Sequence, residues 1–194
     1  MYRKLLPLVA ATCGLFAAGA HADQTSDWFV NGNVGTAHYK ATVDGAGTGT
    51  DSGTAFILNA GYRDQGIIGV EAGYTNLGSV SSKDSYGDTY KLRGDGWTFG
   101  LDGHFNFNDY WYMSARAGGF LWKLHATATI NEGTYTETGS GSKQGLGWYA
   151  GVGTGYDINQ HWSVGADFDY YYMRNRGKYD IGTRIFSVSA EYRF

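Results

Sequence analysis

The last nine residues of the chain read Phe186-Ser187-Val188-Ser189-Ala190-Glu191-Tyr192-Arg193-Phe194 and alternate strictly between two kinds of side chain. Apolar residues occupy every second position, and polar or charged residues lie between them. A period of two indicates a β-strand whose two faces meet different surroundings. An apolar face rich in aromatic residues, opposite a charged face, is typical of a strand in the wall of a membrane β-barrel.

Seven earlier segments show the same alternation, so the sequence predicts eight strands in all. Several apolar faces start and end on aromatic residues within nine residues: Trp97–Phe105, Trp148–Tyr156, Trp162–Tyr170 and Phe186–Phe194. About 9–11 tilted residues cross a bilayer, and aromatic girdles mark its two interfaces. We therefore expect an all-β fold, an eight-stranded antiparallel up-and-down transmembrane β-barrel. The strands of a secreted β-sandwich would also alternate between apolar and polar residues, but a sandwich gives no reason for aromatic residues at both ends of segments of equal length.

The N-terminus has the pattern of a secretory signal peptide, which is removed after export. Arg3 and Lys4 give a positive start, an apolar stretch follows, and Ala20-His21-Ala22 is a small-residue cleavage site. We expect residues 1–22 to be this signal and residues 23–194 to form one barrel domain. The mature protein would then reside in the outer membrane of a Gram-negative bacterium.

The composition argues against several other classes of protein. Mean hydropathy is −0.35, and no segment after the signal approaches the roughly 20 apolar residues of a spanning helix. Removal of the signal takes away the only cysteine, Cys13, and with it thiol chemistry and thiolate metal sites. The formal net charge of −3 becomes −3 − 2 = −5 when Arg3 and Lys4 leave with the signal, which argues against nucleic acid as a partner. The histidines are scattered, so we expect no metal and no cofactor.

The connections between the expected strands alternate between short and long. Three tight polar turns are expected at Arg63–Gly66, Asn106–Asp109 and Asp157–Gln160, whereas long loops are expected over 41–53, 78–94, 127–144 and 174–182. Barrels of this kind carry short turns on the periplasmic side and long loops outside the cell. We therefore expect both termini to be periplasmic.

Charged residues on the inward faces predict a network inside the barrel. Its expected members are Glu71, Asp102, Arg116, Asp167 and Glu191. We expect Arg116 to be the central cation, with Glu71 and Asp102 as partners, because buried charges must pair or be hydrated. An eight-stranded barrel is only wide enough for its own side chains, which favours a filled polar core. A gated ion path through switching salt bridges is the alternative.

One short motif could carry chemistry. His161 and Ser163 are expected on the same inward face, with Asp167 and Asp169 further along it, and such groups can perform acyl transfer. The motif resembles the His-x-Ser of lipid A deacylase barrels. Its position argues against that role, because His161 follows a turn on the expected periplasmic side, away from outer-leaflet acyl chains. We therefore expect no catalytic residues and no enzymatic activity.

A run of basic residues lies near the expected outer rim. Its members are Arg174, Arg176, Lys178 and Arg184. Such residues bind phosphate well, so outer-membrane lipids and the phosphates of lipopolysaccharide are candidate partners. An ordinary solvated loop is the other interpretation.

Three segments resemble the transmembrane domain of the outer membrane protein A family and related small barrels. They are Gly69–Tyr74, Ala115–Gly119 and the closing Ser189–Phe194. The resemblance implies delivery by periplasmic chaperones to the barrel-insertion machinery. The assembly signal would then be the C-terminal apolar set Phe186, Val188, Ala190, Tyr192 and Phe194. It also implies that Glu71 and Arg116 belong to an interior charge network. The sequence lacks the peptidoglycan-binding domain of larger members, so an anchoring role is not expected.

These observations favour a monomeric, non-enzymatic barrel with a role in envelope integrity or in surface contact and adhesion. Its extracellular ligand would be of unknown identity. A narrow pore for ions or small solutes is the first alternative, and a lipid A-modifying acyl hydrolase that uses His161 and Ser163 is the second.

Overall fold

The protein is an eight-stranded antiparallel barrel in which each strand pairs with its neighbours in the chain. The computed structural model describes residues 27–43, 47–64, 67–83, 88–131, 136–175 and 179–194; the expected signal at 1–22 lies outside these ranges. The strands are β1 (Asp27–Val43), β2 (Gly47–Asp64), β3 (Ile68–Lys83), β4 (Thr89–Asn106), β5 (Trp111–Asn131), β6 (Thr136–Asp157), β7 (Trp162–Asn175) and β8 (Tyr179–Arg193). Among the described residues, no helix is long and apolar enough to cross a membrane.

The first and last strands close the barrel. β1 pairs with β8 from Phe29 opposite Arg193 to Val43 opposite Tyr179. Across the middle of the wall, closure gives every strand a paired neighbour on both sides, which is the only way in which a sheet can satisfy its backbone groups inside a bilayer. The eight-stranded fold expected from the alternation is therefore confirmed.

The outward faces are the predicted apolar faces. Val70, Leu101 and Val188 are 59%, 60% and 61% exposed, and the aromatic residues Trp97, Trp148 and Phe186 are exposed on the same side of the wall. A continuous apolar outer surface would be unstable in water, but it matches the hydrocarbon of a bilayer.

The strands are much longer than expected at one end of the barrel. At the turn end, which holds Asp27 and Phe194, the connections are short and follow Asp64, Asn106 and Asp157. At the opposite end, here called the hairpin end, strand pairing continues through most of the segments expected to be long loops. The Gly, Ser and Thr residues there carry no strong alternation, but paired strands still satisfy their backbone hydrogen bonds.

A β-bulge in β3 alters which side chains face the interior. The register against β4 shifts between Asn76 and Gly78, and Gly78 has a φ of 92°, a left-handed conformation that favours glycine. The Asn76 side-chain oxygen accepts a hydrogen bond from the Gly78 amide at 2.9 Å. The extra residue, Leu77, is fully buried inside the barrel.

Candidate functional site

Two layers of side chains fill the interior, and the one nearer the turn end is charged. Arg63 is its first centre, with 3% of its surface exposed. Its Nη1 and Nη2 donate to the two oxygens of Glu191 at 2.7 and 2.8 Å, and its Nε donates to Asp102. The Phe29 ring lies 3.8 Å from the guanidinium carbon. Each guanidinium nitrogen of Arg63 therefore donates to a buried carboxylate.

Arg116 forms a second, separate ion pair in the charged layer. Its Nε and Nη2 donate to the two carboxylate oxygens of Asp169 at 2.7 and 2.6 Å. With the Asn59 amide in the orientation that satisfies both of its polar atoms, the amide oxygen accepts from Arg116 Nη1 at 2.8 Å. The pair spans β5 to β7 across Gly151, where a Cβ would collide with the Asp169 carboxylate.

The expected partners of Arg116 make their closest polar contacts with other residues of the same layer. Asp102 is opposite Arg116 in the β4–β5 register, but its carboxylate pairs with Arg63 instead. Glu71 accepts a hydrogen bond from the Tyr149 hydroxyl at 2.6 Å. The expected pairing of Asp102 with Arg116 is therefore wrong, because a second interior cation, Arg63, takes the Asp102 carboxylate.

Asp167 completes the set of expected interior charges. Its carboxylate accepts from the Asn33 amide at 3.1 Å and from the Ser114 hydroxyl at 3.5 Å. The cavity that remains among Asp167 and the two ion-pair groups has a volume of only about 20 Å³. Such a space holds about one water molecule.

Arg63 is not among the interior charges expected from the sequence, because the polar segment after Tyr62 resembles a turn. The alternation of β2 carries the necessary signal, since Tyr62 faces outward and Arg63 therefore faces inward. The same rule applies to Arg193, whose Nη2 lies 2.6 Å from the Asp157 carboxylate at the turn end.

The second interior layer, nearer the hairpin end, is apolar and was not expected. We call it the apolar plug; its members are Ile57, Leu77, Phe120, Trp122, Met173 and Ile185, all at most 3% exposed. The Phe120 ring packs against Tyr171 at a centroid distance of 5.0 Å, and Tyr171 stacks on Tyr149 at 5.6 Å. These tyrosines connect the plug to the charged layer below it.

His161 and Ser163 do not form a catalytic pair. His161 is exposed in the turn between β6 and β7, where its ring stacks on the lipid-facing Tyr192 at 6.0 Å. Ser163 is fully buried inside the barrel and donates to Asp157 at 2.6 Å. The two side chains lie on opposite sides of the wall because the strand begins only at Trp162.

The expected basic run is only partly described. Arg174 and Arg184 are exposed on outward positions of β7 and β8 at the hairpin end, and Arg176 and Lys178 lie outside the described residues. Arg174 Nε lies 3.9 Å from the Asp180 carboxylate, at the limit of an ion pair.

The C-terminal apolar set lines the outer face of β8. Phe186, Val188, Ala190 and Phe194 are exposed there. Tyr192 is half-buried, because its ring contacts Trp162 at 4.9 Å and Phe194 at 5.1 Å. The set forms one continuous apolar stripe that ends in an aromatic cluster at the turn end.

Several solved structures share this architecture. Ail, the attachment invasion locus protein of Yersinia pestis, solved with the heparin analogue sucrose octasulfate, is 18% identical with a TM-score of 0.57 over 88% of this chain and 99% of that one. Neisserial surface protein A is 17% identical with a TM-score of 0.56 over 86% and 97%. OprG from Pseudomonas aeruginosa is 13% identical with a TM-score of 0.56 over 89% and 98%. At these identities the likeness concerns the fold.

Comparison with curated proteins finds no match. Residues 8–194 match the family described as "Outer membrane protein beta-barrel domain". This match covers nearly the whole chain and agrees with the closed barrel and its apolar outer face. The chain therefore belongs to the outer membrane protein β-barrel domain family.

Proposed function

We propose that this protein is a non-conducting, non-enzymatic barrel that acts through its hairpin end in envelope integrity or surface attachment. The main support for this proposal is the filled interior. The apolar plug lies on the hairpin side of the charged layer, and the charged layer has room for about one water molecule. An ion would have to cross both layers, and apolar side chains give it no substitute for its hydration shell. The interior therefore has a structural role, which leaves the exposed ends for function.

We orient the barrel with the turn end in the periplasm and the hairpin end outside the cell. Short turns and long external extensions are the usual arrangement in this class of barrel. The β5–β6 hairpin is formed by strands of 21 and 22 residues, the longest in the barrel. Its exposed residues at 138–144 are all polar or glycine. Such a surface suits hydrogen-bonded contact with polar ligands.

Conductance measurements test the closed interior. Wild-type protein in a planar bilayer should show no steady channels. Trp122→Ala removes the largest side chain of the plug, and we expect it to produce leak currents. The matched control Trp97→Ala changes the same residue type on the outer face and should stay silent. Large uniform channels in the wild type would make the protein a pore and overturn the proposal.

Lipid A analysis tests the absence of enzymatic activity. Mass spectra of lipid A from cells with and without the protein should be the same. If lipid A lost an acyl chain in the presence of the wild-type protein but kept it in the presence of Ser163→Ala, the protein would be an acyl hydrolase. We do not expect this loss, since His161 faces away from Ser163.

Adhesion measurements test the attachment role. One structural relative carries attachment in its name and was solved with a heparin analogue, so heparin-coated surfaces are the first surfaces to try. Replacing residues 128–139 with an Asn-Gly turn shortens the β5–β6 hairpin at a paired position. Cells with the shortened protein should adhere less than wild-type cells at equal amounts of folded barrel. Equal adhesion would remove this hairpin from the proposed function.

A further inference from the structure

Three neighbouring strands place a set of polar side chains on the lipid-facing surface near the hairpin end. Arg184 on β8 lies opposite His38 on β1 and opposite Tyr170 on β7. One row further out, Gly182 lies opposite Lys40 and Tyr172. The side chains of this surface line an open groove of about 740 Å³. We call it the β1–β8 groove.

The two cations of the groove are exposed and unpaired. Lys40 and Arg184 have no carboxylate within 4.0 Å in the part of the chain that the structure describes, although Asp51 and Asp180 also line the groove. A different arrangement exists on β4 and β5, where Asp95 lies 3.7 Å from Arg93 and 3.5 Å from His125. The groove therefore keeps two cations available for an external anion.

Aromatic rings form one wall of the groove. Trp148 on β6 packs against Tyr170 and Tyr172 at centroid distances of 5.5 and 5.7 Å. The Tyr170 hydroxyl extends over Gly182, where a Cβ would lie only 2.5 Å from it. Glycine at this position keeps the groove open. The result is a broad aromatic surface next to two cations, at the level where aromatic girdles meet lipid headgroups.

The surface below the groove is apolar. One row nearer the middle of the barrel, Phe186 packs against Phe168 at 4.8 Å, and Val188 with Val34 forms the next row. A molecule bound in the groove thus has its charged end at Arg184 and hydrocarbon contacts directly below. A phosphorylated amphiphile in the outer leaflet has the same arrangement, with a charged headgroup above its hydrocarbon chains.

We propose that the β1–β8 groove binds a phosphorylated glycolipid of the outer leaflet. Arg184 and Lys40 would bind a phosphate group, the Tyr170 and Tyr172 rings would contact the sugar, and an acyl chain would lie along Phe186. Arginine matches phosphate oxygens with a planar set of donors, which favours phosphate as the anion. The proposal is independent of whether the interior conducts.

Native mass spectrometry of the full-length mature barrel in detergent tests the proposal. The probes are lipid A with both phosphates, the same lipid after dephosphorylation, and inorganic phosphate alone. We expect one bound molecule of phosphorylated lipid A, about tenfold weaker binding of the dephosphorylated form, and no competition by inorganic phosphate at millimolar concentration.

Matched double variants locate the site. Lys40→Gln with Arg184→Gln should weaken lipid A binding about tenfold or more, whereas Arg93→Gln with Lys123→Gln makes the same charge change on β4 and β5 and should leave it nearly unchanged. Gel mobility without boiling checks that both variants are folded. Equal losses in the two variants, or full competition by inorganic phosphate, would overturn the proposal.

Discussion

Arg63 is the residue on which the charged layer depends most. Arg63→Met removes the cation, which leaves buried Asp102 without its ion-pair partner and buried Glu191 with only Arg193 Nε at 3.8 Å. We expect the free energy of unfolding to fall by about 3–5 kcal/mol, the usual effect of breaking a buried ion pair from one side. A urea titration of the refolded barrel in detergent measures this change.

The control for Arg63→Met is Arg93→Met, which breaks the 3.7 Å pair between the half-exposed Arg93 and Asp95 and should cost at most about 1 kcal/mol. Adding Asp102→Asn and Glu191→Gln to Arg63→Met should recover part of the loss, because the buried carboxylates no longer need a cation. Equal midpoints for Arg63→Met and Arg93→Met would contradict the account of the charged layer.

The sequence predicts which side chains point into the barrel better than it predicts their partners. Alternation places Glu71, Asp102 and Glu191 inside, and the structure has all three buried. Which acid meets which cation depends on the stagger of strands around the barrel, and alternation within one strand carries no information on that stagger. The pairing of Arg116 with Asp169 could therefore not be read from the sequence.

At the scale of the strand, β3 provides the clearest test of the two faces. Val70 is 59% exposed on the lipid side, so Val70→Arg should lower the free energy of unfolding by about 2–4 kcal/mol near the middle of the bilayer. Ser140→Arg adds the same charge on the exposed hairpin of β6 and should have little effect. Refolding into lipid vesicles followed by denaturant titration compares the two. Similar midpoints would mean that the faces of β3 are assigned incorrectly.

The last strand is expected to matter for assembly more than for stability. Phe194 is 67% exposed and ends the outer aromatic cluster, so its deletion removes little buried surface. We expect the unfolding midpoint of the refolded protein to change little, while cells accumulate more unassembled protein in the periplasm. Fractionation of cells measures the second effect. Normal outer-membrane yield at high expression would refute the assembly role of Phe194.

The ends of strands were harder to predict than their centres. Between the girdles, lipid on one side and packed side chains on the other impose a strong alternation. Beyond the outer girdle both faces of a strand meet water, so the alternation fades although the pairing continues to Asn131 and Thr136 in the longest hairpin. The weak pattern there reflects solvent on both faces, so the expectation of a loop over 127–144 is wrong for its paired residues.

For the whole molecule, the sequence predicts the strand number and the closure of the barrel but not the apolar plug. In the segment Gly119-Phe120-Leu121-Trp122-Lys123-Leu124, apolar residues fall on both faces, so their direction is hidden. Phe120 and Trp122 fill the interior, whereas Leu121 is exposed on the outer face. Only the closed barrel, with Ile57 and Ile185 on other strands, shows that these side chains meet.

The central claim is that the wall of the barrel separates a filled interior from lipid. Methyl-labelled solid-state NMR of the wild-type protein in lipid bilayers tests it directly. We expect the methyl groups of Val70, Leu101 and Val188 to receive magnetisation from lipid acyl chains, and those of Ile57 and Ile185 to receive little from either lipid or water. Strong transfer from water to Ile57 and Ile185 would show an open aqueous lumen and contradict the account.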